Sequence, residues 1–199
     1  VRLTLLYIKL LRTGCLGDRQ EEIEVTPKKI EERAKVESIE TLINNLGNAD
    51  DDVRVKARRS LVAMGKTAVA PLAKGLENKK YLIRWEAAKA LNEIGNPAAA
   101  PALVKALEDE EFDVRWIAAE GLIKMNINGV IPLLRALKER GDSTLLREGA
   151  HHVFHDLSKG ALKKILAPVL AVLEGIEPGE EVPLAALKAM ETLEKLKKI

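Results

Sequence analysis

Apolar positions along this chain recur in one fixed set of spacings. The stretch Ile83–Ile94 (IRWEAAKALNEI) sets the pattern. It returns as Val53–Met64 and Val114–Met125, and in weaker form as Leu146–Leu157 and Val182–Leu193. The first residues of successive copies lie 30, 31, 32 and 36 positions apart. With that first residue as position 0, position 4 is always alanine: Ala57, Ala87, Ala118, Ala150 and Ala186. Position 8 is large and apolar (Leu61, Leu91, Leu122, Phe154, Met190), and so is position 11 (Met64, Ile94, Met125, Leu157, Leu193). Offsets of 4, 8 and 11 fall on one face of a helix. Position 7 is small in Ser60, Ala90, Gly121 and Ala189, and is Val153 in the remaining copy. Small residues let a second helix approach closely while the large ones fill the space between. Repetition every few tens of residues predicts a solenoid whose stacked units share a continuous core.

A second helix precedes each copy. The pattern predicts one running from the Thr26-Pro27 start to Leu46, then Thr67–Leu76, Pro97–Leu107, Asn128–Leu137 and Leu162–Leu173. Each repeat is therefore helix A, a turn, helix B and a short link. Pro71, Pro101, Pro132 and Pro168 fall at matching places in helix A, and Thr41 stands there in the first. A proline either bends a helix or marks the start of its regular part. Gly65, Gly95 and the Asn126–Gly129 stretch end the B helices. Residues 1–25 fit neither helix and read as an N-terminal extension, leaving 26–199 as the repeat domain.

The pairs Val53-Arg54, Ile83-Arg84, Val114-Arg115 and Leu146-Arg147, the Ala-rich run after them and the A-helix prolines carry a resemblance. The sequence resembles the HEAT-like repeats of the phycobilisome-lyase type over residues 36–199. The resemblance implies an all-α fold, an α/α superhelix of five helical hairpins, whose B helices line a concave surface. It also implies a structural place at the repeat interface for Arg54, Arg84, Arg115 and Arg147. The last copy carries Pro183 instead, after a longer acidic turn, which suits an atypical C-terminal cap.

Positions 2, 6 and 9 fall opposite the core face and should meet solvent. Both tryptophans of the chain, Trp85 and Trp116, are there at the same position of adjacent repeats. Val55, Trp85, Trp116 and Ile123 are expected to anchor a partner, with Arg59, Lys89, Glu120 and His152 as a polar surround. This makes a non-enzymatic scaffold or adaptor for a protein or peptide the leading functional reading. Residues 53–90 hold ten Lys/Arg against Glu77 and Glu86, a net +8, which opens an alternative: nucleic-acid binding by the basic early repeats. A lyase- or hydroxylase-like enzyme subunit is a further alternative. His151, His152 and His155 are the only histidines, and His151 and His155 are one turn apart. They lack the glutamate of a zinc-protease helix, and the chain has no His-Glu pair of the kind that hydroxylases of this repeat type use for iron. The cluster reads as surface histidines, and no metal, cofactor or catalytic residue is expected. The single Cys15 and the lack of a long apolar run lead to the expectation of a cytoplasmic chain with no membrane partner.

Overall fold

The computed structural model describes residues 38–176 and 178–196. Among them are ten α-helices and no strand. They pair in order: α1 (Ile39–Asn45) with α2 (Asp51–Met64), α3 (Lys66–Gly75) with α4 (Tyr81–Ile94), and α5 (Ala100–Ala106) with α6 (Phe112–Met125). The remaining pairs are α7 (Ile127–Glu139) with α8 (Thr144–Leu157), and α9 (Lys163–Leu173) with α10 (Pro178–Leu196). The expected extension, 1–25, and the start at Thr26-Pro27 lie outside the described residues. The first helix does not run through from there. Ser38 is extended (φ −61°, ψ 149°), and its side chain accepts the amide of Thr41, so the helix that reaches Leu46 starts at Ile39.

The core face is the one that the spacing predicts. Ala57, Ala87, Ala118, Ala150 and Ala186 are all buried, as are Leu61, Leu91, Leu122 and Phe154. Alanine at position 4 lets α4 and α6 pack against each other along their length, and α2 and α8 continue that layer on either side. The A helices form the second layer. Pro101 stands at the first turn of α5, after a 3₁₀ turn at Pro97–Ala99, whereas Pro71, Pro132 and Pro168 lie inside their helices. The proline position thus marks a helix start in one repeat and falls within the helix in three.

One arginine per repeat ties the A-to-B turn to the B helix. Arg54 Nη1 donates to the carbonyls of Asn48 and Ala49 at 2.8 and 2.9 Å. Arg84 does so to Asn78 and Lys79, Arg115 to Asp109 and Glu110, and Arg147 to Gly141 and Asp142. These carbonyls belong to the turn itself, beyond the end of the A helix, whose own last carbonyls accept from the amides that follow them. The arginine therefore holds the A-to-B turn closed from the helix that follows it. Arg84 has a further task. Its Nε and Nη2 grip both oxygens of Asp109 in the following repeat, at 2.8 and 3.1 Å, and Nη2 also reaches Glu110. The bonds to Asp109 hold this guanidinium above the ordinary arginine range.

The fifth hairpin departs from the expected order. α10 packs against α7 and α9, not along α8, while α9 lies on α8. The hairpin is thus reversed: α9 extends the B layer and α10 extends the A layer. The fifth copy of the organising stretch consequently does not stack on the fourth. Pro183 replaces the repeat arginine because α10 crosses the turn of the fourth repeat there. A Cβ on Gly141 would lie 2.7 Å from Pro183 Cδ, so only glycine admits the crossing.

Two predictions follow from this packing. Asn126 adopts φ 53° and ψ −129°, nearly the angles of Gly65 (58°, −127°), in a region that favours glycine. Asn126→Gly should raise stability by about 1 kcal/mol in urea denaturation; a loss would show that the asparagine side chain, not its backbone strain, dominates. A double-mutant cycle with Arg84→Ala and Asp109→Ala should give a coupling energy of about 2 kcal/mol, because each single change leaves a largely buried charge without its partner. Additive losses would remove the inter-repeat clamp from the account.

Candidate functional site

The outward positions of the B helices do not form a plain exposed stripe. Trp85 is half-buried: its indole stacks on Tyr81 at 6.1 Å between ring centroids, and Lys89 Nζ sits 4.0 Å from the ring centre. The expectation that this indole faces solvent is corrected by those two neighbours. Trp116 is more open, with 45% of its surface accessible. It meets Phe112 at 6.0 Å and the imidazole of His152, from the next repeat, at 4.6 Å. The other expected anchors, Val55 and Ile123, are half-buried like Trp85, and Arg59, expected in the polar surround, is exposed; all three lie along the same layer.

Tyr81 and Phe112 were not in the expected set. They stand four residues before Trp85 and Trp116, one helical turn away on the same face, at the first residue of each B helix. The signal was present in that spacing, but it lies two residues before the template begins. Together these rings are four of the six Trp, Tyr and Phe side chains in the chain, gathered on α4 and α6. The Tyr81 hydroxyl donates to Asp113 Oδ2 at 2.9 Å, which joins the two helices. Burial, followed by this bond, raises the Tyr81 pKa above the usual phenol range.

Polar members of the set are engaged with one another. His152 Nε2 and Glu120 Oε1 are 3.1 Å apart, so α8 is fastened to α6 beside Trp116. Lys89 bonds Glu86 at 3.1 Å, and Glu86 also accepts from Arg58 Nη1 at 2.7 Å. Glu86 is fully buried, and two cations compensate its charge. His151 goes elsewhere: it stacks on His155 and bonds Glu174 at 2.9 Å. The three histidines thus divide between two neighbours. Among the described residues no group of three or more His, Cys, Asp or Glu is gathered to hold a metal.

The basic early repeats are less free than their count suggests. Of the ten cations in residues 53–90, Arg54, Arg58, Arg84 and Lys89 are held in ion pairs within the repeats. The acidic turn after α5 is likewise occupied, with Asp109 and Glu110 on Arg84 and Glu108 on Arg140 and Ser143. Arg58 and Arg84 thus spend their charge on joining repeats, while Lys56, Arg59, Lys66, Lys74, Lys79 and Lys80 stay exposed and without an ion pair among the described residues.

Between α6 and α8 the surface opens into a cavity of about 160 Å³. Leu107, Phe112, Trp116 and Leu145 give it an apolar floor and wall, and Arg115, Glu148 and His152 stand at its rim. Gly149, which lines it, occupies position 3 of its copy, where the earlier repeats carry Lys56, Glu86 and Ile117; a Cβ there would lie 3.0 Å from Leu107 Cδ2. No helix among the described residues is long and apolar enough to cross a membrane.

A comparison with curated proteins gives no match. Several solved structures are similar at low identity. One engineered protein is 21% identical, covering 84% of each chain, with a TM-score of 0.41. A designed armadillo repeat protein in complex with the peptide (KR)4 is 18% identical, covering 82% of this chain and 86% of that one, with a TM-score of 0.40. The family model for HEAT repeats matches residues 39–123 and 93–153. That match spans more than half of the sequence, and the chain belongs to the HEAT-repeat family.

Proposed function

We propose that this chain is a non-enzymatic scaffold that holds a protein or peptide on the concave, B-helix surface of its solenoid. The observation that carries the reading is the concentration of rings. A chain with 3% aromatic residues puts Tyr81, Trp85, Phe112 and Trp116 side by side on adjacent repeats, outside its core. Tryptophan and tyrosine are preferred anchors because they bury much surface at little entropic cost. Val55 and Ile123 extend the apolar surface, while Arg59, Lys89, Glu120 and His152 border it. The repeats are of the phycobilisome-lyase type on the strength of the arginine and proline positions, without a pigment site or lyase activity. A cytoplasmic location suits the lone Cys15.

Salt-tolerant capture from a native lysate separates this reading from nucleic-acid binding, which weakens steeply as salt rises. Trp116→Ala is the cleaner probe, since its indole is the more exposed. It should weaken capture of the partner about tenfold or more and change the unfolding free energy by no more than about 1 kcal/mol. Trp85→Ala should cost more stability, because the indole is stacked and covered. Undiminished capture by both variants would remove the aromatic face as the binding surface.

A further inference from the structure

The second edge of Arg54 bonds Asp51, that of Arg84 bonds Asp109 and that of Arg147 reaches Thr144, whereas the second edge of Arg115 meets no side-chain acceptor among the described residues. Arg84 uses its Nε–Nη2 edge to hold the carboxylate of Asp109, five residues before position 0 of the next repeat. The residue at that place in the repeat after Arg115 is Gly141, which is glycine because Pro183 of α10 presses against it. Arg115 therefore keeps the two carbonyl bonds of its Nη1, but its other edge has no acceptor among the described residues. That edge is not sealed: no nitrogen of Arg115 is among the buried side-chain nitrogens left without a hydrogen bond. Arg115 also lines the cavity beside Phe112 and Trp116, and its guanidinium lies 5.7 Å from the Phe112 ring centre.

We propose that this cavity binds the C-terminus of a partner polypeptide, with the terminal apolar side chain in the pocket and the terminal carboxylate on the free edge of Arg115. The planar edge that Arg84 presents to Asp109 matches a carboxylate in two-point contact. A volume of about 160 Å³ has room for a single apolar side chain. Because Arg115 itself lines that volume, side chain and carboxylate must sit within one residue of each other. A chain-terminal Leu, Ile or Val carries both on the same atom. Glu148, exposed at the same rim, opposes the incoming charge and competes for Arg115, so it sets the affinity from the other side. This inference rests on the reading of the B-helix face as a peptide surface, and it names the part of the peptide recognised.

The test uses two probes on the full chain, acetyl-Gly-Gly-Leu with a free carboxylate and the same peptide as its amide. Binding is followed by NMR on the indole N–H of Trp116, assigned with Trp116→Phe. The free acid should shift this resonance and bind about tenfold or more tightly than the amide, as expected for a charge-assisted pair. Arg115→Ala should erase the difference between the probes, and Glu148→Gln should tighten the acid but not the amide. Equal binding of acid and amide would overturn the carboxylate assignment while leaving the groove a peptide site. Weaker binding of the acid to Glu148→Gln would also overturn it, by showing that the rim favours cations. If neither probe moves Trp116, the assignment fails, and the scaffold reading is then judged separately by partner capture with Trp116→Ala.

Discussion

Backbone carbonyls in the A-to-B turns must find donors, and in the first four repeats of this chain one arginine per repeat supplies them. The guanidinium reaches back over five and six residues and closes the A-to-B turn from the following helix. Repeat proteins of this kind stand on intrinsic repeat stability plus the interfaces between neighbours. The arginine serves the first term in all four repeats that carry it. In Arg84 it serves the second as well, through Asp109 of the next repeat. Apolar stacking of the B helices gives the bulk of the attraction but little direction along the layer. Bonds of fixed geometry at the turns hold the register.

The reversed last hairpin alters this arrangement. When α10 crosses to the A side, it requires Gly141 beneath Pro183 and ends the arginine series. Gly141 in turn removes the acceptor that Arg115 would use. The same region gains the notch at Gly149, beside the most open indole of the molecule. The one change in helix order thus gives the terminal cap and leaves Arg115 without the acceptor that Arg84 has. On the neighbouring repeats Lys89 covers Trp85 and Glu86 compensates Arg58, while at the cavity itself Glu120 holds His152.

Much of the fold could be read from spacing. Alanine at position 4 and the large residues at position 8 are buried as their helical offsets require, because a solenoid core is built from local periodicity. The reversal of α9 and α10 could not be read that way: Val182–Leu193 keeps the apolar offsets whichever layer receives it, and the choice is made by packing against α7. The site was legible in part. Trp85 and Trp116 share a repeat position, and that put them on one face. The cover over Trp85 depends on the conformation of Lys89 and Tyr81, which a helical wheel does not fix. Tyr81 and Phe112 were missed because they lie before the repeat template, although they are one turn from the tryptophans. Arg115 differs from Arg84 only in what the next repeat offers it, which emerges when the turn residues Asn78, Asp109 and Gly141 are aligned across repeats.

Exchange of the arginine Nε–H protons, observed by nitrogen-resolved NMR at mildly acidic pH, tests this account most directly. Arg84 Nε–H, bonded to Asp109, should exchange slowly with solvent, and Arg115 Nε–H should exchange nearly as fast as that of a free arginine. Equal protection of the two would mean that Arg115 has already found an internal acceptor, and the open edge beside Trp116 would not exist.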